Sequence, residues 1–278
     1  MSDYEQIRYE VDDRVARVIL DRPKYRNAQS RLLREEMDDA FNRAVDDLDV
    51  RVIVLSGDGE SFSAGHDLGT PEEKTDQEVR PYEEGIRGLF ERSTSMNVDN
   101  TLRWRELPKP TIAMVHGYCI FGGWMIASAM DLVFAAEDAM FLGSNFQYFS
   151  TPWDIHPRKV KELLYESRFI DGNEAHDLGF VNRVYPADQL EAETMAYAHR
   201  VAQNDPFQLR MTKLAVNQAQ EAQGFTEAIR AAHPLYLLSS QGERDPGFTI
   251  DKPEGRRRPM VQRAVENYEL YRKGSDGE

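Results

Sequence analysis

Apolar and polar residues alternate near the start of the chain, which is the pattern of a strand with one buried face. Residues 6–11 alternate strictly, and residues 15–20 form a second, more apolar run. Asp12 and Asp13 separate the two runs, and acidic residues in such a position favour a turn. The pattern therefore predicts a β-hairpin over residues 6–20.

Short apolar runs farther along the chain predict strands that are buried on both faces. These runs cover residues 51–55, 111–115, 132–136 and 139–142. Helical spacing separates them, most clearly over residues 30–48, where Ser30 fits the N-cap position. A helix of about twenty residues is expected before Leu107, and a polar stretch over 69–80 is expected to be mobile. Alternating strands and helices predict an α/β fold with mostly parallel pairing.

The periodicity after Pro157 is helical almost throughout. The predicted helices cover residues 158–166, 173–178, 188–203, 206–220, 225–239 and 260–272. We therefore divide the chain into an α/β core over 1–200 and a helical region over 201–278. The helical region is expected to cap the core or to form an assembly surface.

Composition and charge restrict the classes of partner. The chain has 278 residues, 41% hydrophobic and 29% charged, as is usual for a globular protein. Its net charge of −14 argues against nucleic acid or an anionic membrane as the main partner, although local cations can still hold one anionic small ligand. No run of about 18 apolar residues occurs, so no membrane-spanning helix is expected. The acidic, polar N-terminus lacks the features of a secretory signal, which predicts a cytoplasmic location.

Cofactor and metal signatures are missing from the sequence. It has no dinucleotide-binding fingerprint and no His, Cys and carboxylate cluster at metal-ligand spacing. The single cysteine, Cys119, cannot form an internal disulfide and is expected to be a buried small hydrophobe. We therefore expect neither a cofactor nor a metal.

Two glycine-containing turns carry the strongest chemical signal. One is the loop 61–68, and the other contains Gly122 and Gly123. Both follow buried strands, and open α/β sheets bind ligands at the carboxyl ends of their strands. The second turn begins a predicted helix, where free N–H groups and the helix dipole favour negative charge. Two such amides that converge on one carbonyl oxygen would form an oxyanion hole. The alternative is that both turns are only tight connections.

Several short motifs occur in one order along nearly the whole chain. They are LDRPKYRNA at 20–28, FSAGHDL at 62–68, LPKPTIA at 107–113, GYCIFGG at 117–123, residues 131–141, GNEA at 172–175 and GFVNRV at 179–184. Each motif alone is weak, but their order and spacing together are specific. On these motifs the chain resembles the enoyl-CoA hydratase/isomerase (crotonase) superfamily.

The resemblance implies a fold, an assembly and a substrate class. The implied fold is a spiral of ββα units whose C-terminal helices join three chains into a homotrimer, or two trimers into a homohexamer. The implied substrate is an acyl-CoA thioester, with coenzyme A present only as part of the substrate. The implied oxyanion hole consists of the backbone amides of Ala64 and Gly122. The residues implied in substrate binding are Lys24, Arg26, Ser63, Gly65, His66, Asp67, Leu68, Tyr118, Gly123, Met125 and Asn145.

Parts of this implied binding site have more specific roles. The loop from Ala64 to Leu68 would line the adenine pocket, and Lys24 or Arg26 would lie near the CoA phosphates. His66 would contact the CoA or a neighbouring chain. The cluster 256–258, Arg-Arg-Arg, would add phosphate contacts or would be only a solvated basic turn.

The usual proton-handling residues of the family are missing. Typical hydratases of this family use two glutamates, one three residues after the oxyanion glycine and one in a Pro-Glu pair. Met125 stands at the first position, and Ser144-Asn145 at the pair. Thioether and amide groups do not exchange protons near neutral pH. We therefore expect the chain not to use the standard two-glutamate hydration.

Two titratable residues near position 155 are the candidates for a replacement acid or base. Asp154 lies one residue beyond the place where other family members carry a catalytic aspartate, and His156 titrates in the right range. The alternative for both is a structural role at the start of the helix near Pro157, where a short polar side chain would cap the helix.

Three functional hypotheses remain open at this stage. The first is an acyl-CoA enzyme that stabilises a thioester enolate through backbone amides and performs isomerase, hydrolase, C–C lyase or decarboxylase chemistry. The second is a conventional enoyl-CoA hydratase with a relocated acid and base. The third is a catalytically inactive protein that binds CoA thioesters.

Overall fold

The structure, a computed structural model, describes residues 4–144, 146–242 and 258–275. Two sheets organise its first two thirds. The strands are β1 (Ile7–Asp12), β2 (Val15–Leu20), β3 (Val52–Gly57), β4 (Thr111–Val115), β5 (Tyr118–Ile120), β6 (Leu132–Ala136), β7 (Met140–Leu142), β8 (Ile170–Asp171) and β9 (Arg183–Tyr185). The larger sheet has the order β1-β2-β3-β4-β6-β9, and the smaller one has the order β5-β7-β8. The predicted hairpin is confirmed, because β1 pairs antiparallel with β2, with Ile7 opposite Leu20.

Parallel pairing continues from β2 through β9 in the larger sheet. Val54 and Leu55 at its centre are fully buried, as expected for strands covered on both faces. The smaller sheet pairs β5 parallel to β7 and β7 antiparallel to β8. Since β5 leads directly into Gly122, this smaller sheet positions one of the two predicted amides.

Helices cover the sheets and form the C-terminal region. They are α1 (Arg31–Asp46), α2 (Pro71–Val79), α3 (Gly85–Ser93), α4 (Asn100–Arg105), α5 (Gly122–Ser128), α6 (Thr151–Asp154), α7 (Pro157–Glu166), α8 (Gly172–Asp177), α9 (Leu190–Ala202), α10 (Pro206–Glu221), α11 (Phe225–Gln241) and α12 (Pro259–Ser275). The fold is thus the predicted α/β class with a helical C-terminal region.

Helix α1 shows how the sequence pattern becomes structure. The Ser30 hydroxyl accepts a hydrogen bond from the Leu33 N–H at 3.0 Å, which is the predicted N-cap. Leu33, Met37 and Phe41 recur at helical spacing and are all fully buried against the sheet. The helix therefore begins at its cap and is held by its apolar face.

The expectation of a mobile stretch over 69–80 is wrong, because residues 71–79 form α2. Thr70 caps this helix, Pro71 occupies its first turn, and acidic residues follow, all of which favour a helix start. Glu73 is buried, and its carboxylate accepts the Arg31 N–H at 2.9 Å. The segment carries almost no apolar stripe, so hydrophobic periodicity alone did not reveal it.

The predicted twenty-residue helix before Leu107 is confirmed, with one irregularity. Between α3 and α4, residues Thr94–Asp99 form a π-helical segment, in which the chain is wound more loosely than in an α-helix. Met96 and Asn97 lie in this π segment, and Asn97 is buried. The π segment packs on α11. A helix of the C-terminal region therefore packs against the middle of the chain.

Other sequence expectations have mixed outcomes. Cys119 is fully buried, as expected. Within the described residues, no helix combines the length and apolar character needed to cross a membrane. Asn145, Arg256 and Arg257 lie outside the described residues. The division of the chain at residue 200 and the cytoplasmic location stay predictions.

Candidate functional site

Two loops meet where the predicted amides were expected. The loop after β3 runs beside β5, with Ser63 bridged to Cys119. Gly65 in this loop has a φ of +87°, and a Cβ there would lie 2.6 Å from the Ile120 carbonyl oxygen and 3.0 Å from the Gly122 nitrogen. Only glycine fits both this backbone conformation and this close approach. The contact therefore holds the 61–68 loop directly against the start of α5.

The predicted role of the Ala64 amide is wrong. Its N–H already donates a hydrogen bond to the Arg26 carbonyl oxygen at 2.8 Å, so it is not available to a substrate. The next N–H beyond Gly65 is that of His66, and across the described residues it has no acceptor. A Cβ on Gly122 would lie 3.1 Å from the His66 nitrogen. His66, not Ala64, therefore supplies the backbone amide beside Gly122.

The Gly122 N–H is unpaired for a different reason, namely its position at the start of α5. Phe121, the N-cap residue, has a φ of 47°, and the first helical hydrogen bond runs from the Met125 N–H to the Phe121 carbonyl at 3.0 Å. Gly123 packs so closely that a Cβ there would lie 2.6 Å from the Ser63 carbonyl oxygen. Two free amides, of His66 and Gly122, thus lie side by side at a helix N-terminus.

The His66 side chain is a neutral polar group at this site. Its Nε2 lies 3.2 Å from the Gln147 Oε1, and the Gln147 amide nitrogen in turn donates to the Tyr236 hydroxyl at 3.3 Å. The Gln147 oxygen can only accept, so the His66 proton lies on Nε2 and its buried Nδ1 carries a lone pair. Burial, together with the positive charge of Arg34, lowers the pKa of His66 to about 4. The imidazole is therefore uncharged at neutral pH.

Several predicted binding residues hold the loop instead of facing a ligand. The Ser63 hydroxyl donates to the Asn27 carbonyl at 2.8 Å and accepts from the Gly65 N–H at 3.2 Å. The Asp67 side chain is fully buried and pairs with Arg22 at 3.0 Å. Burial raises the pKa of Asp67, but hydrogen bonds from Thr70, Arg22 and Gly69 outweigh it, so the net shift is downward. The loop shape therefore depends on an ionised Asp67.

The remaining predicted binding residues have varied surroundings. The side chains of Lys24, Arg26 and Leu68 are exposed near this loop, where they can reach a ligand. Tyr118 is partly buried and packs on Phe169, with ring centroids 5.8 Å apart. Met125 is fully buried in the core, and no proton can be exchanged there.

Asp154 lies at the end of α6, where its carboxylate accepts a hydrogen bond from the Ser150 hydroxyl at 3.2 Å. Burial raises the pKa of Asp154 to about 7, against the lowering effects of Ser150 and Arg105. No contact among the described residues joins it to His66 or Gly122. Asp154 has the acidity of a proton donor, but its neighbours are Tyr148 and Arg105 rather than the two free amides.

His156 has the structural role that the sequence left open. It is exposed and is the N-cap residue of α7, where its Nδ1 accepts from the Arg158 N–H at 3.4 Å. The prediction of a catalytic His156 is therefore not supported, because the imidazole faces solvent at a helix start.

A small cleft opens beside Phe121. Its volume is about 280 Å³, and its walls come from α7, α12 and the strand β7. Ser144 lines this cleft. Apolar side chains dominate the walls, so the cleft offers space without a titratable carboxylate.

Comparisons with known proteins place this geometry in context. A model of the enoyl-CoA hydratase/isomerase family matches residues 10–244. A Mycobacterium tuberculosis protein, EchA13, provisionally described as an enoyl-CoA hydratase, is 38% identical over 85% of this chain and 81% of its own length.

Two solved structures show the same relationship. An enoyl-CoA hydratase/isomerase from Xanthobacter autotrophicus Py2 is 33% identical, with a TM-score of 0.75 over 87% of this chain and 90% of that chain. A protein from Novosphingobium aromaticivorans, provisionally described as an enoyl-CoA hydratase/isomerase, is 26% identical, with a TM-score of 0.81 over 99% of this chain and 100% of that chain. The similarity thus extends over the sheets, the two loops and the C-terminal helices.

Proposed function

Because the chain belongs to the enoyl-CoA hydratase/isomerase family, we propose that the His66 and Gly122 amides form an oxyanion hole for the carbonyl oxygen of an acyl-CoA thioester. The observation that carries the proposal is that these two N–H groups are neighbours and have no acceptor within the described residues. Removal of a carbon-bound proton next to the thioester places negative charge on that oxygen. Donors held in advance at that place stabilise the charge in the transition state.

The proposed reaction class is enolate chemistry without the standard two-carboxylate addition of water. Met125 is buried and cannot exchange a proton, so no carboxylate acts from the first helical turn of α5. Isomerisation, decarboxylation, C–C cleavage and thioester hydrolysis all begin with a polarised thioester carbonyl. The oxyanion hole would stabilise the negative charge in each of these reactions, and the structure of the acyl group would determine which reaction follows.

A direct test follows the α-protons of a saturated acyl-CoA in deuterated water. Enolate formation would exchange those protons and raise the mass of the acyl group, whether or not a product forms. Exchange well above the rate without protein would support the proposal. Tight binding of acyl-CoAs without exchange would contradict it and favour a catalytically inactive CoA-binding protein.

A second candidate function is conventional hydration with a relocated acid. It is favoured by the raised pKa of Asp154, about 7, since a carboxyl that is partly protonated near neutral pH can donate a proton. Hydration of crotonyl-CoA, followed through the loss of the enoyl absorbance, distinguishes the two candidates. Rapid hydration that is lost in Asp154→Asn would support the relocated acid.

We also propose that the C-terminal helices join three chains, or six. Apolar side chains of α10 and α11 face outward from the single chain. The most exposed of them are Phe207, Val216, Leu235 and Leu238. An exposed apolar surface of this kind is typical of an assembly interface. Light scattering should give three or six times the chain mass of 32.0 kDa, and a monomer would contradict the proposal.

A further inference from the structure

Arg34 differs from the other buried arginines of the described residues. Four others each have a carboxylate partner: Arg22 with Asp67 at 3.0 Å, Arg31 with Asp76 at 3.1 Å, Arg105 with Glu221 at 3.1 Å and Arg168 with Glu174 at 2.7 Å. Arg34 is 8% exposed, and no carboxylate of the described residues lies within 4.0 Å of it. A buried charge without a counter-ion is unfavourable, so its presence calls for an explanation.

Arg34 has more hydrogen-bond donors than it has partners among the described residues. One terminal nitrogen donates to the Asn97 Oδ1 at 2.6 Å, and the other lies 4.0 Å from the Met96 sulfur. Its Nε is buried and has no partner within the part of the chain that the structure describes. A guanidinium presents five N–H groups in a planar fork that fits a carboxylate. Most of that fork is unused.

The hydrogen-bond network behind Arg34 fixes its orientation. The Asn97 amide nitrogen lies 3.5 Å from the Ser93 hydroxyl, which in turn lies 2.9 Å from Nε2 of His233 on α11. The Asn97 oxygen is thereby directed at the guanidinium. Arg34 is held by the π segment on one side, while its Nε is left without a partner.

Arg34 lies in the first turn of α1, and Gln29, just before that helix, is bridged to His66. The positive charge of Arg34 contributes to the lowered pKa of His66, the same residue whose backbone N–H lies beside Gly122. The two acids whose charge acts on Arg34 are bound elsewhere. The Glu73 carboxylate accepts the Arg31 N–H at 2.9 Å, and Glu35 pairs with Arg80 at 2.9 Å. An acyl group whose carbonyl lies at His66 and Gly122 would therefore lie beside the start of α1, which carries this buried cation.

We propose that Arg34 binds a carboxylate at the far end of the acyl group, so that the substrates are CoA thioesters of dicarboxylic acids. This inference rests on the proposed oxyanion hole. A carboxylate would accept hydrogen bonds from the unused N–H groups of Arg34 and would supply the missing counter-ion. A methyl-ended chain of the same length would leave both unsatisfied.

The test compares two saturated ligands of equal chain length, adipyl-CoA and hexanoyl-CoA, by calorimetry on the full chain. We expect adipyl-CoA to bind at least about tenfold more tightly, as a hydrogen-bonded charge pair typically provides. In Arg34→Gln the two affinities should become equal within about twofold, through loss of adipyl-CoA binding alone. Arg34→Lys should keep part of the preference, because the charge remains but the planar fork is lost.

Arg168→Gln is the matched control, since Arg168 is a buried arginine that has its carboxylate partners. This change should lower the thermal midpoint and leave the ratio of the two affinities unchanged. Arg34→Gln should lower the midpoint of the ligand-free protein less than Arg168→Gln does, because it removes the hydrogen bond to Asn97 but breaks no internal ion pair. A fall as large as that of Arg168→Gln would mean that Arg34 has a structural counter-ion and would overturn the inference.

The remaining outcomes separate this inference from the proposed function. Equal binding of both ligands by the unmodified protein would overturn the carboxylate site and leave the oxyanion hole untouched. An adipyl-CoA preference that survives in Arg34→Gln would do the same. If neither ligand binds to the folded protein, the proposed function itself is wrong.

Discussion

His66 donates its Nε2 proton to the Gln147 side-chain oxygen across 3.2 Å, and this contact determines what the imidazole can do. The ring is neutral, its remaining nitrogen can only accept, and its backbone N–H lies beside Gly122. One residue thus contributes a backbone donor and a side-chain acceptor to the same site.

Because His66 is neutral in the folded chain, the protein should be less stable towards unfolding in acid. Its pKa is about 4 in the folded chain against 6.5 for the ordinary group, so the unfolded chain binds more protons between these values. The free energy of unfolding should therefore fall as the pH drops from about 6.5 to 4. In His66→Asn this dependence should be weaker by about 2 kcal/mol. Urea titrations at pH 7 and pH 5 measure the difference.

The control for that experiment is His176, because about half of its side chain is exposed to solvent. His176→Asn should leave the pH dependence of the unfolding free energy as it is in the unmodified protein. An unchanged slope in His66→Asn would show that the imidazole is not held neutral in the folded state.

Asp154 should have the opposite effect over an overlapping range. Its pKa is raised to about 7 from 3.8, so the folded chain binds more protons there, and stability is lost as the pH rises through this range. Asp154→Asn removes the carboxylate that has to ionise in a buried place. The free energy of unfolding at pH 8 should rise by about 1–3 kcal/mol, with little change at pH 4. Denaturant titrations at both pH values, and the turnover of any accepted substrate, decide whether Asp154 is structural or catalytic.

Gly122→Ala tests the oxyanion hole by adding a methyl group that blocks it. The added Cβ would lie 3.0 Å from the Gln29 side-chain oxygen and 3.1 Å from the His66 nitrogen, where a thioester oxygen would have to lie. We expect turnover or α-proton exchange to fall by about 10²–10³-fold, the usual effect of losing one such donor. Gly242→Ala is the matched control, because its Cβ would contact nothing within 4 Å. Equal rates in the two variants would contradict the assignment of the hole.

The buried pair of Arg22 and Asp67 should be the main support of the 61–68 loop. Asp67→Asn leaves the Arg22 guanidinium, 6% exposed, with only the half-exposed Glu72 carboxylate, which lies 4.0 Å away. The expected loss in the free energy of unfolding is about 3–5 kcal/mol. Glu35→Gln breaks an exposed pair with Arg80 and should cost about 1 kcal/mol or less. Similar losses in both variants would show that the loop does not depend on the buried pair.

The strands and the long helices could be predicted because their residues alternate or repeat at one period. Helix α2 could not be found in this way, since its stability comes from the Thr70 cap and from the contact of Glu73 with Arg31 rather than from an apolar face. The π segment was also beyond prediction, because a single looser turn is too short for its own period to be recognised in the sequence. Periodicity reports burial, and these features are stabilised by hydrogen bonds.

In the functional site, too, local features can be predicted from the sequence, whereas features set by contacts between distant residues cannot. Gly122 was found because a glycine pair at a helix start is a local feature. The sequence alone does not separate Ala64 from His66, because the direction of each N–H depends on the left-handed Gly65 and on the carbonyl of Arg26, which is distant in the sequence. Arg34 has no distinguishing signal in the sequence, since an arginine within an amphipathic helix usually faces water.

The π segment over Thr94–Asp99 makes the position of Asn97 sensitive to the length of the chain. Such a segment corresponds to one residue more than an α-helix of the same rise would hold. Deleting a single residue there would restore the α-helical register and rotate all later side chains of the helix by about 100°. Asn97 would then turn away from Arg34, although no residue that contacts a ligand had been replaced. Relatives with a helix shorter by one residue in this place should therefore differ in the acyl groups they accept.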